Sequence, residues 1–138
     1  MNLVTEIPPD LPRIRGTANQ FRQVFLNLLL NAIQAMPSGG EITIRAGADG
    51  LGKVRITIHD SGTGIPPELL PRIFDPFFTT KEPGKGTGLG LSISLAIVRK
   101  FGGDIQVASE PGQGTTFHVF LPSGDRAARD AGADAASA

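Results

Sequence analysis

Clusters of glycine divide this sequence into short blocks and so limit what each block can form. The chain has 18 glycines among 138 residues. Most of them lie in clusters, at residues 39–40, 47–52, 62–64, 84–90, 102–103 and 112–114. Glycine is favoured where a backbone turns sharply or lies close to another group. The clusters therefore predict the ends of the regular elements, and the blocks between them predict single helices and strands.

Two blocks carry apolar residues at helical spacing. The first helix is predicted from residue 17 to about residue 36, and Thr17 with Gln20 has the spacing of a capping box. The second is predicted at residues 91–101, with basic residues in its last turn and two glycines beyond it. Residues 67–74 are predicted to form a short helix. The remaining blocks are predicted as strands or sheet edge, at residues 3–7, 13–15, 42–46, 54–58, 105–109 and 115–121.

The order of these elements predicts an α/β fold, a two-layer sandwich with a mixed β-sheet and helices packed on one face. Residues 77–90 form a longer connection than a compact domain usually needs, which favours a functional lid. We expect this lid to be mobile without a nucleotide and ordered with one. Residues 1–121 are predicted as one domain. Residues 122–138 are predicted as a disordered tail because they show no apolar periodicity.

The charge balance excludes a general attraction to polyanions. Thirteen basic residues balance thirteen acidic ones, so neither nucleic acid binding nor membrane insertion is expected. No apolar run approaches the roughly 20 residues that span a bilayer. The absence of cysteine excludes disulfides and thiolate metal sites and fits a cytoplasmic protein. Any phosphate site must therefore be local, built from a few positioned groups.

The first predicted helix carries a stripe of amides where a surface helix usually carries charges. On an otherwise apolar helix, the side chains of this stripe fall within about 80° of one another: Gln23, Asn27, Asn31 and Gln34. Amides supply oxygen ligands without charge, which suits a hard cation already neutralised by phosphates. A polar seam between packed elements explains the stripe equally well, so the helix alone leaves both interpretations open.

The segment Asp60-Ser-Gly-Thr-Gly64 places a carboxylate on the core side of a predicted strand. Alternation aligns Asp60 with the apolar residues of the block before it. A buried carboxylate is costly unless it accepts hydrogen bonds, and the two glycines that follow let backbone approach a bound flat group. The pattern alone is a weak signal, because a plain turn or a calcium loop matches it as often. No further carboxylates follow at calcium-loop spacing, which counts against a metal there.

A third segment combines glycine with lysine and leads into the second predicted helix. It runs from Phe74 through Lys81 and Lys85 to the glycine cluster that ends at residue 90. Such a loop offers free N–H groups and the positive end of a helix dipole to phosphates. The two familiar nucleotide fingerprints, Gly-x-x-x-x-Gly-Lys-Ser/Thr and Gly-x-Gly-x-x-Gly, are absent. The residues themselves therefore predict a phosphate-binding loop of another fold.

Together these segments resemble the catalytic, ATP-binding domain of sensor histidine kinases. The similar motifs are Asn27-Leu-Leu-Leu-Asn31-Ala32 (N box), Asp60-Ser-Gly-Thr-Gly64 (G1 box), residues 74–81 (F box) and Gly86-Thr-Gly-Leu-Gly90 (G2 box). All four occur in the family's order, and the resemblance covers residues 1–121. The family shares a superfamily with gyrase B, the mismatch-repair ATPase MutL and a heat-shock chaperone. It often has asparagine where this chain has Ser61.

The resemblance implies a role for each segment. Asp60 would accept a hydrogen bond from the adenine amino group, and Asn31, with Asn27 beside it, would hold Mg²⁺ on the phosphates. It also implies catalytic roles for Asn27 and Lys81. The residues that would contact ATP are Asn31, Asp60, Gly62, Gly64, Ile65, Phe74, Thr80, Lys81, Lys85, Gly86, Thr87, Gly88, Leu89, Gly90 and Leu91. The aromatic residues of the third segment would anchor the lid, but plain core aromatics would show the same pattern: Phe74, Phe77 and Phe78.

One position separates the functional classes of the superfamily. Its hydrolases, and its serine kinases that regulate sigma factors, carry a glutamate one turn before the magnesium-binding asparagine, where this chain has Asn27. An amide cannot act as a general base, whereas phosphoryl transfer depends mainly on positioning and charge neutralisation. The resemblance therefore favours a histidine kinase over an ATPase. A nucleotide-binding module that switches a protein partner stays open.

The acceptor of the phosphoryl group is not expected in this chain. Its two histidines, His59 and His118, fall within predicted strands, whereas the family's acceptor lies on a helix. The resemblance therefore implies a partner, the histidine-bearing dimerisation domain of the same kinase, and a response regulator downstream. The isolated domain is expected to be a cytoplasmic monomer.

Overall fold

A computed structural model of the chain describes residues 2–8, 17–76, 78 and 90–123. In chain order its main elements are β1 (Asn2–Glu6), α1 (Ala18–Gln34), β2 (Glu41–Ala48), β3 (Lys53–Asp60), α2 (Gly90–Lys100), β4 (Asp104–Glu110) and β5 (Gly114–Pro122). The predicted strand at residues 13–15, most of the predicted lid and the tail from residue 124 onward lie outside the described residues.

The five strands form one mixed sheet in the order β1-β2-β3-β5-β4. β1 pairs with β2 in parallel, and the other neighbouring pairs are antiparallel. α1 therefore connects two parallel neighbours, whereas β4 and β5 form a hairpin whose second strand lies beside β3. This register places Asp60 between Ile42 on one side and Thr115 on the other.

Both helices pack on one face of the sheet, which confirms the predicted two-layer α/β fold. Alternate residues of the two central strands are buried beneath the helices: Val54, Ile58, Phe117, Val119 and Leu121. The helices contribute the facing layer of apolar side chains: Phe21, Val24, Leu28, Ile97 and Val98. Burial of apolar surface stabilises a fold by roughly 25 cal/mol per Å², so this layer supplies the main stabilisation.

Three local predictions differ from the structure. Thr17 occupies the N-cap position of α1, but its side chain makes no capping hydrogen bond, so the predicted capping box does not form. The short helix predicted at residues 67–74 is a single 3₁₀ turn at Leu70–Arg72, because Pro71 lacks the N–H that a continuing α-helix needs. β5 runs through Pro122, and the Ser123 N–H donates to the Gly52 carbonyl at 2.8 Å. The strand therefore ends one residue later than the strand predicted at residues 115–121.

Two glycines end α2, as predicted. The Gly102 N–H donates to the Arg99 carbonyl at 3.0 Å and the Gly103 N–H donates to the Val98 carbonyl at 2.9 Å. These are the two bonds of a Schellman motif, in which Gly102 adopts φ +85° without strain. A side chain at Gly103 would overlap the carbonyl of Phe120 in β5. The connection from α2 to β4 therefore lies with its backbone directly against β5.

Candidate functional site

Asp60 ends β3 on the face that the helices cover, and only 3% of it is exposed. This confirms the side predicted from strand alternation. One of its carboxylate oxygens accepts a hydrogen bond from the Gly62 N–H at 2.9 Å, and the backbone of Thr115 supplies another. Burial raises the pKa of Asp60, while these hydrogen bonds and the charge of His59 oppose the rise. The site thus keeps a polar group whose burial is costly and only partly compensated by the described residues.

The loop that follows Asp60 is tied to the end of α1 and to the turn between β4 and β5. The Thr63 N–H donates to the Ala35 carbonyl at 3.3 Å, one residue beyond α1. The Thr63 carbonyl accepts a hydrogen bond from the Gly112 N–H at 2.7 Å. Backbone hydrogen bonds therefore hold the middle of this loop from two sides.

The two glycines of the loop are needed for the packing of the loop itself. A Cβ at Gly62 would lie 2.5 Å from the Ala35 carbonyl oxygen, and a Cβ at Gly64 would overlap the Glu110 carbonyl. Gly64 also has φ +78°, which a residue with a side chain adopts only with strain. In both positions the space of the missing side chain faces protein backbone. The predicted contact of these glycines with a flat ligand stays a prediction.

Two serines fix the ends of the same loop, and the sequence assigned a role to neither. The Ser61 Oγ accepts a hydrogen bond from the Glu41 N–H of β2 at 2.9 Å. The Ser109 Oγ accepts one from the Ile65 N–H at 2.7 Å and donates to the Gly114 carbonyl at 2.9 Å. The Ser61–Glu41 and Ser109–Ile65 contacts join residues 20 and 44 positions apart along the chain, so no local pattern could have indicated them.

Asn27 lies on the flank of α1 that faces α2. Its Nδ2 donates to the Gly90 carbonyl and to the Ser94 Oγ, each at 3.3 Å. Since a backbone carbonyl only accepts hydrogen bonds, the amide nitrogen faces α2 and the amide oxygen faces away from it. The polar seam that the sequence left open is therefore present on the nitrogen side. Among the described residues, the oxygen has no hydrogen-bond partner.

α1 aligns the separate parts of the candidate site. Ala35 contacts the loop beside the buried carboxylate, Asn31 lies one turn earlier, and Asn27 lies a further turn earlier beside the start of α2. At the rise of an α-helix, the distance from Ala35 to Asn27 is about 12 Å. The other amides of the stripe, Gln23 and Gln34, are exposed. The structure therefore divides the stripe into an inner pair and an outer pair.

The remaining predicted site residues fall into three groups. The Phe74 ring meets Phe117 edge-on, with centroids 6.4 Å apart, and Ile65 packs against the same apolar cluster. These are the contacts of core side chains, and a role in ligand binding stays a prediction. Gly90 and Leu91 are the first residues of α2. The predicted lid anchor Phe77 and the other predicted contacts lie outside the described residues: Thr80, Lys81, Lys85, Gly86, Thr87, Gly88 and Leu89.

The two histidines lie on the face of the sheet that the helices leave uncovered. The Nδ1 atom of His59 lies 2.7 Å from the Thr116 Oγ1, and that of His118 lies 3.2 Å from the Thr57 Oγ1. Burial and the charge of Arg55 lower the pKa of His118. Because successive strand residues point to opposite faces, the sheet separates both rings from the buried carboxylate.

Two further findings concern the residues described in the structure. Within them, no three His, Cys, Asp or Glu side chains are grouped so that they could hold a metal ion. Neither α1 nor α2 is long and apolar enough to cross a membrane.

Comparison with known proteins identifies a family that shares these features. The family described as histidine kinase-, DNA gyrase B-, and HSP90-like ATPase matches residues 16–125. The chain belongs to this ATPase family. The matched region includes the buried carboxylate, the inner pair of amides and all of α2. Every described part of the candidate site therefore lies within the part that this ATPase family shares.

Within this ATPase family, the chain is similar to sensor histidine kinases, which confirms the resemblance seen in the sequence. It is 47% identical to the sensor kinase CckA of Brucella abortus (strain 2308), over 82% of this chain and 13% of that protein. It is 49% identical to the sensor histidine kinase ZraS of Escherichia coli (strain K12), over 81% of this chain and 23% of that protein. The chain thus spans less than a quarter of the length of either relative.

A solved structure supports the same assignment at the level of the fold. Full-length ShkA in complex with AMPPNP is similar to this chain with a TM-score of 0.78 and 32% identity. The similarity covers 88% of this chain and 25% of that one. The chain therefore has the fold and the kinase relatives of a catalytic domain in two-component signalling.

Proposed function

We propose that this chain binds Mg-ATP and donates the γ-phosphoryl group to a histidine on a separate dimerisation domain, as the catalytic part of a sensor histidine kinase. The observation that carries the proposal is the placement of two polar groups along α1. The loop beside the buried carboxylate of Asp60 contacts Ala35 at the end of α1, and Asn27 lies two turns earlier, about 12 Å from Ala35 along the helix. Proteins whose names describe sensor kinases share this region of the chain.

Asp60 suits the adenine end of the nucleotide. The amino group of adenine donates hydrogen bonds, whereas guanine has a carbonyl at that position, which a carboxylate repels. A hydrogen bond to a charged group contributes roughly 1.5–3 kcal/mol. The Gly62 N–H and the Thr115 backbone already hold the carboxylate in one orientation. Binding therefore requires little rearrangement at this end.

The inner amides suit the phosphate end. An amide oxygen is a neutral, hard ligand, which fits Mg²⁺ whose charge the phosphates already balance. Asn31 and Asn27 would hold the ion, which supplies charge neutralisation at the phosphates when it is bound. α2 begins beside Asn27, and the N-terminal end of a helix attracts anions. Lys81, Lys85 and the backbone of residues 86–90 are proposed to contact the triphosphate.

The nucleotide itself is supported by a related structure. AMPPNP, an ATP analogue, is bound to full-length ShkA, which shares 32% identity with this chain over 88% of its residues. Taken with the family match, this makes ATP the nucleotide that we propose for the site along α1.

We assign phosphoryl transfer rather than hydrolysis because α1 offers no general base. Its sequence contains no Asp or Glu, and the amide of Asn27 cannot accept a proton. His59 and His118 are not the acceptors, because they lie on the opposite face of the sheet and their Nδ1 atoms contact threonine hydroxyls. The acceptor histidine is therefore proposed to come from the dimerisation domain. A cytoplasmic response regulator is the proposed next acceptor.

The test is to mix the chain with radiolabelled ATP, Mg²⁺ and separate dimerisation domains taken from related sensor kinases. We expect acid-labile phosphohistidine on the added domain and very slow ATP hydrolysis by the chain alone, since a general base typically contributes about 10²–10⁴-fold in rate. Rapid turnover without a partner would contradict the assignment and place the chain with ATP-driven protein switches. Equal affinity for ATP and GTP would contradict the role of Asp60.

A further inference from the structure

Ser94 is a polar residue on the buried face of α2. It has no exposed surface, and the other buried residues of the helix are Ile97 and Val98. Its hydroxyl oxygen accepts a hydrogen bond from the Nδ2 of Asn27 at 3.3 Å. A hydroxyl among apolar neighbours is costly unless it has a hydrogen-bond partner. The contact with α1 explains how the structure accommodates this serine, and it also places the serine behind a proposed ligand of the metal.

We propose that Ser94 is a positioning residue, which holds the Asn27 side chain so that its amide oxygen faces the magnesium ion and phosphates of bound ATP. The inference rests on the proposed function, because it needs Mg-ATP beside Asn27. Ser94 acts through Asn27 and does not touch the nucleotide. Nothing in the pattern of the sequence distinguishes it from the other serine of α2, Ser92.

The Gly90 carbonyl and the Ser94 Oγ restrain the Asn27 amide in different ways. An asparagine amide can turn by 180° about its last bond, which exchanges the positions of its oxygen and nitrogen. The Gly90 carbonyl disfavours the reversed orientation, because the amide oxygen would then face a second oxygen. The amide nitrogen carries a second hydrogen, and the Ser94 Oγ accepts it. Without that acceptor, this partly buried N–H would lack a partner, and side-chain rotamers that turn away from α2 would compete.

The position of Asn27 allows few other restraints. Its described hydrogen bonds are those to the Gly90 carbonyl and the Ser94 Oγ. The Gly90 partner is backbone, so a substitution there leaves the carbonyl in place. Ser94 is therefore the one side chain in the described contacts of Asn27 that a substitution can remove. This makes the inference testable with a change of a single heavy atom.

The experiment measures ATP affinity of the full chain as a function of Mg²⁺ concentration, and also in excess EDTA. For Ser94→Ala we expect the Mg²⁺ concentration that gives half of the maximal effect on ATP affinity to rise about threefold to tenfold. A factor of this size corresponds to the loss of one neutral hydrogen bond. Affinity for metal-free ATP is expected to stay the same. Ile97→Val is the matched control, because it also removes one heavy atom from the buried face of α2. It should lower the melting temperature without changing the response to Mg²⁺.

A double-mutant cycle with Asn27→Ala shows whether Ser94 acts through Asn27. In the Asn27→Ala background, Ser94→Ala is expected to cause no further change in the response to Mg²⁺. A full additional shift would overturn the inference, as would an unchanged response in Ser94→Ala alone. If Ser94→Ala fails to fold, Ser94→Cys, with a weaker acceptor of similar shape, should give a smaller shift, and no shift there would also overturn it. If the unaltered chain binds ATP without any response to Mg²⁺, the proposed function itself fails.

Discussion

The loop after Asp60 and the inner amides of α1 belong to one candidate site, but they are held in different ways. Backbone groups of α1 and of the turn between β4 and β5 hold the loop at Thr63 and leave no room for a side chain at Gly64. Asn27, in contrast, is held by two hydrogen bonds that its own amide makes. The path of the main chain determines the first region, and side-chain chemistry determines the second.

This difference predicts two kinds of failure. Changes at the glycines of the loop should unfold or distort the domain before they affect any ligand. Changes at the amides should leave the domain folded and alter only how it responds to the metal and phosphates. The adenine end is therefore expected to vary little in shape, while the phosphate end can be adjusted by single substitutions. The following predictions test that contrast.

The largest effect is expected from Gly64→Ala. The new Cβ would overlap the Glu110 carbonyl and require a positive φ, so the free energy of unfolding should fall by about 3 kcal/mol. Gly50→Ala is the matched control, because Gly50 has the same φ of +78° but no atom within 4 Å of the added Cβ. Gly50→Ala should lower the free energy of unfolding by only about 1 kcal/mol. Urea denaturation measures both, and equal losses would show that the backbone contact does not matter.

A smaller effect, on binding instead of folding, is expected from Asp60→Ala. Loss of a charged hydrogen-bond acceptor should lower the affinity for ATP about tenfold or more, since such a bond contributes roughly 1.5–3 kcal/mol. The domain should stay folded by circular dichroism because the loop is held by backbone. Glu68→Ala, which removes an exposed carboxylate, should leave ATP affinity unchanged. Isothermal titration with ATP and GTP decides the point, and unchanged ATP affinity in Asp60→Ala would remove adenine from this end of the site.

Next in size is Asn31→Ala, which tests the amide end. We expect about fivefold to tenfold weaker binding of Mg-ATP with little change in the affinity for metal-free ATP. Gln23→Ala is the matched control, because Gln23 is an exposed amide on the same helix and alanine suits a helix. Binding titrations with and without Mg²⁺ distinguish the two variants. A loss of thermal stability with unchanged nucleotide binding would show that Asn31 belongs only to the seam between helices.

The smallest effect is expected from pH. Because burial raises the pKa of Asp60 above its ordinary value of 3.8, protonation should weaken ATP binding at a higher pH than for an exposed aspartate. The same shift means that this group favours folding fully below its unfolded pKa, and that this contribution is lost as pH rises through the folded pKa. ATP titrations from neutral pH downward should show the decline in the unaltered chain. A parallel decline in Asp60→Ala would assign it to another group.

The features that the sequence predicted correctly depend on local patterns. Strand alternation placed Asp60 on the covered face, and helical spacing placed Asn27 and Asn31 on one flank of α1. The Gly62 N–H that donates to Asp60 is only two residues away, but the contacts that fix Asn27 and the end of the loop were not predictable, because they join distant parts of the chain. Ser109 meets Ile65 across 44 residues, and Ser94 meets Asn27 across 67 residues. The capping box at Thr17 was wrong because spacing alone does not bring the side chain into hydrogen-bonding position.

The unequal attachment of α2 determines how that helix can move. Gly103, three residues beyond its C-terminal end, lies so close to the Phe120 carbonyl that a side chain would not fit, whereas near its N-terminal end the Asn27 amide contacts it through two hydrogen bonds. We therefore expect any displacement of α2 to be smallest near Gly103 and largest at Gly90. Along a helix of about 15 Å, a tilt of about 4° carries Gly90 through roughly 1 Å. A change in the side chain of Asn27 is therefore expected to affect the position of Gly90 more than that of the opposite end of the helix.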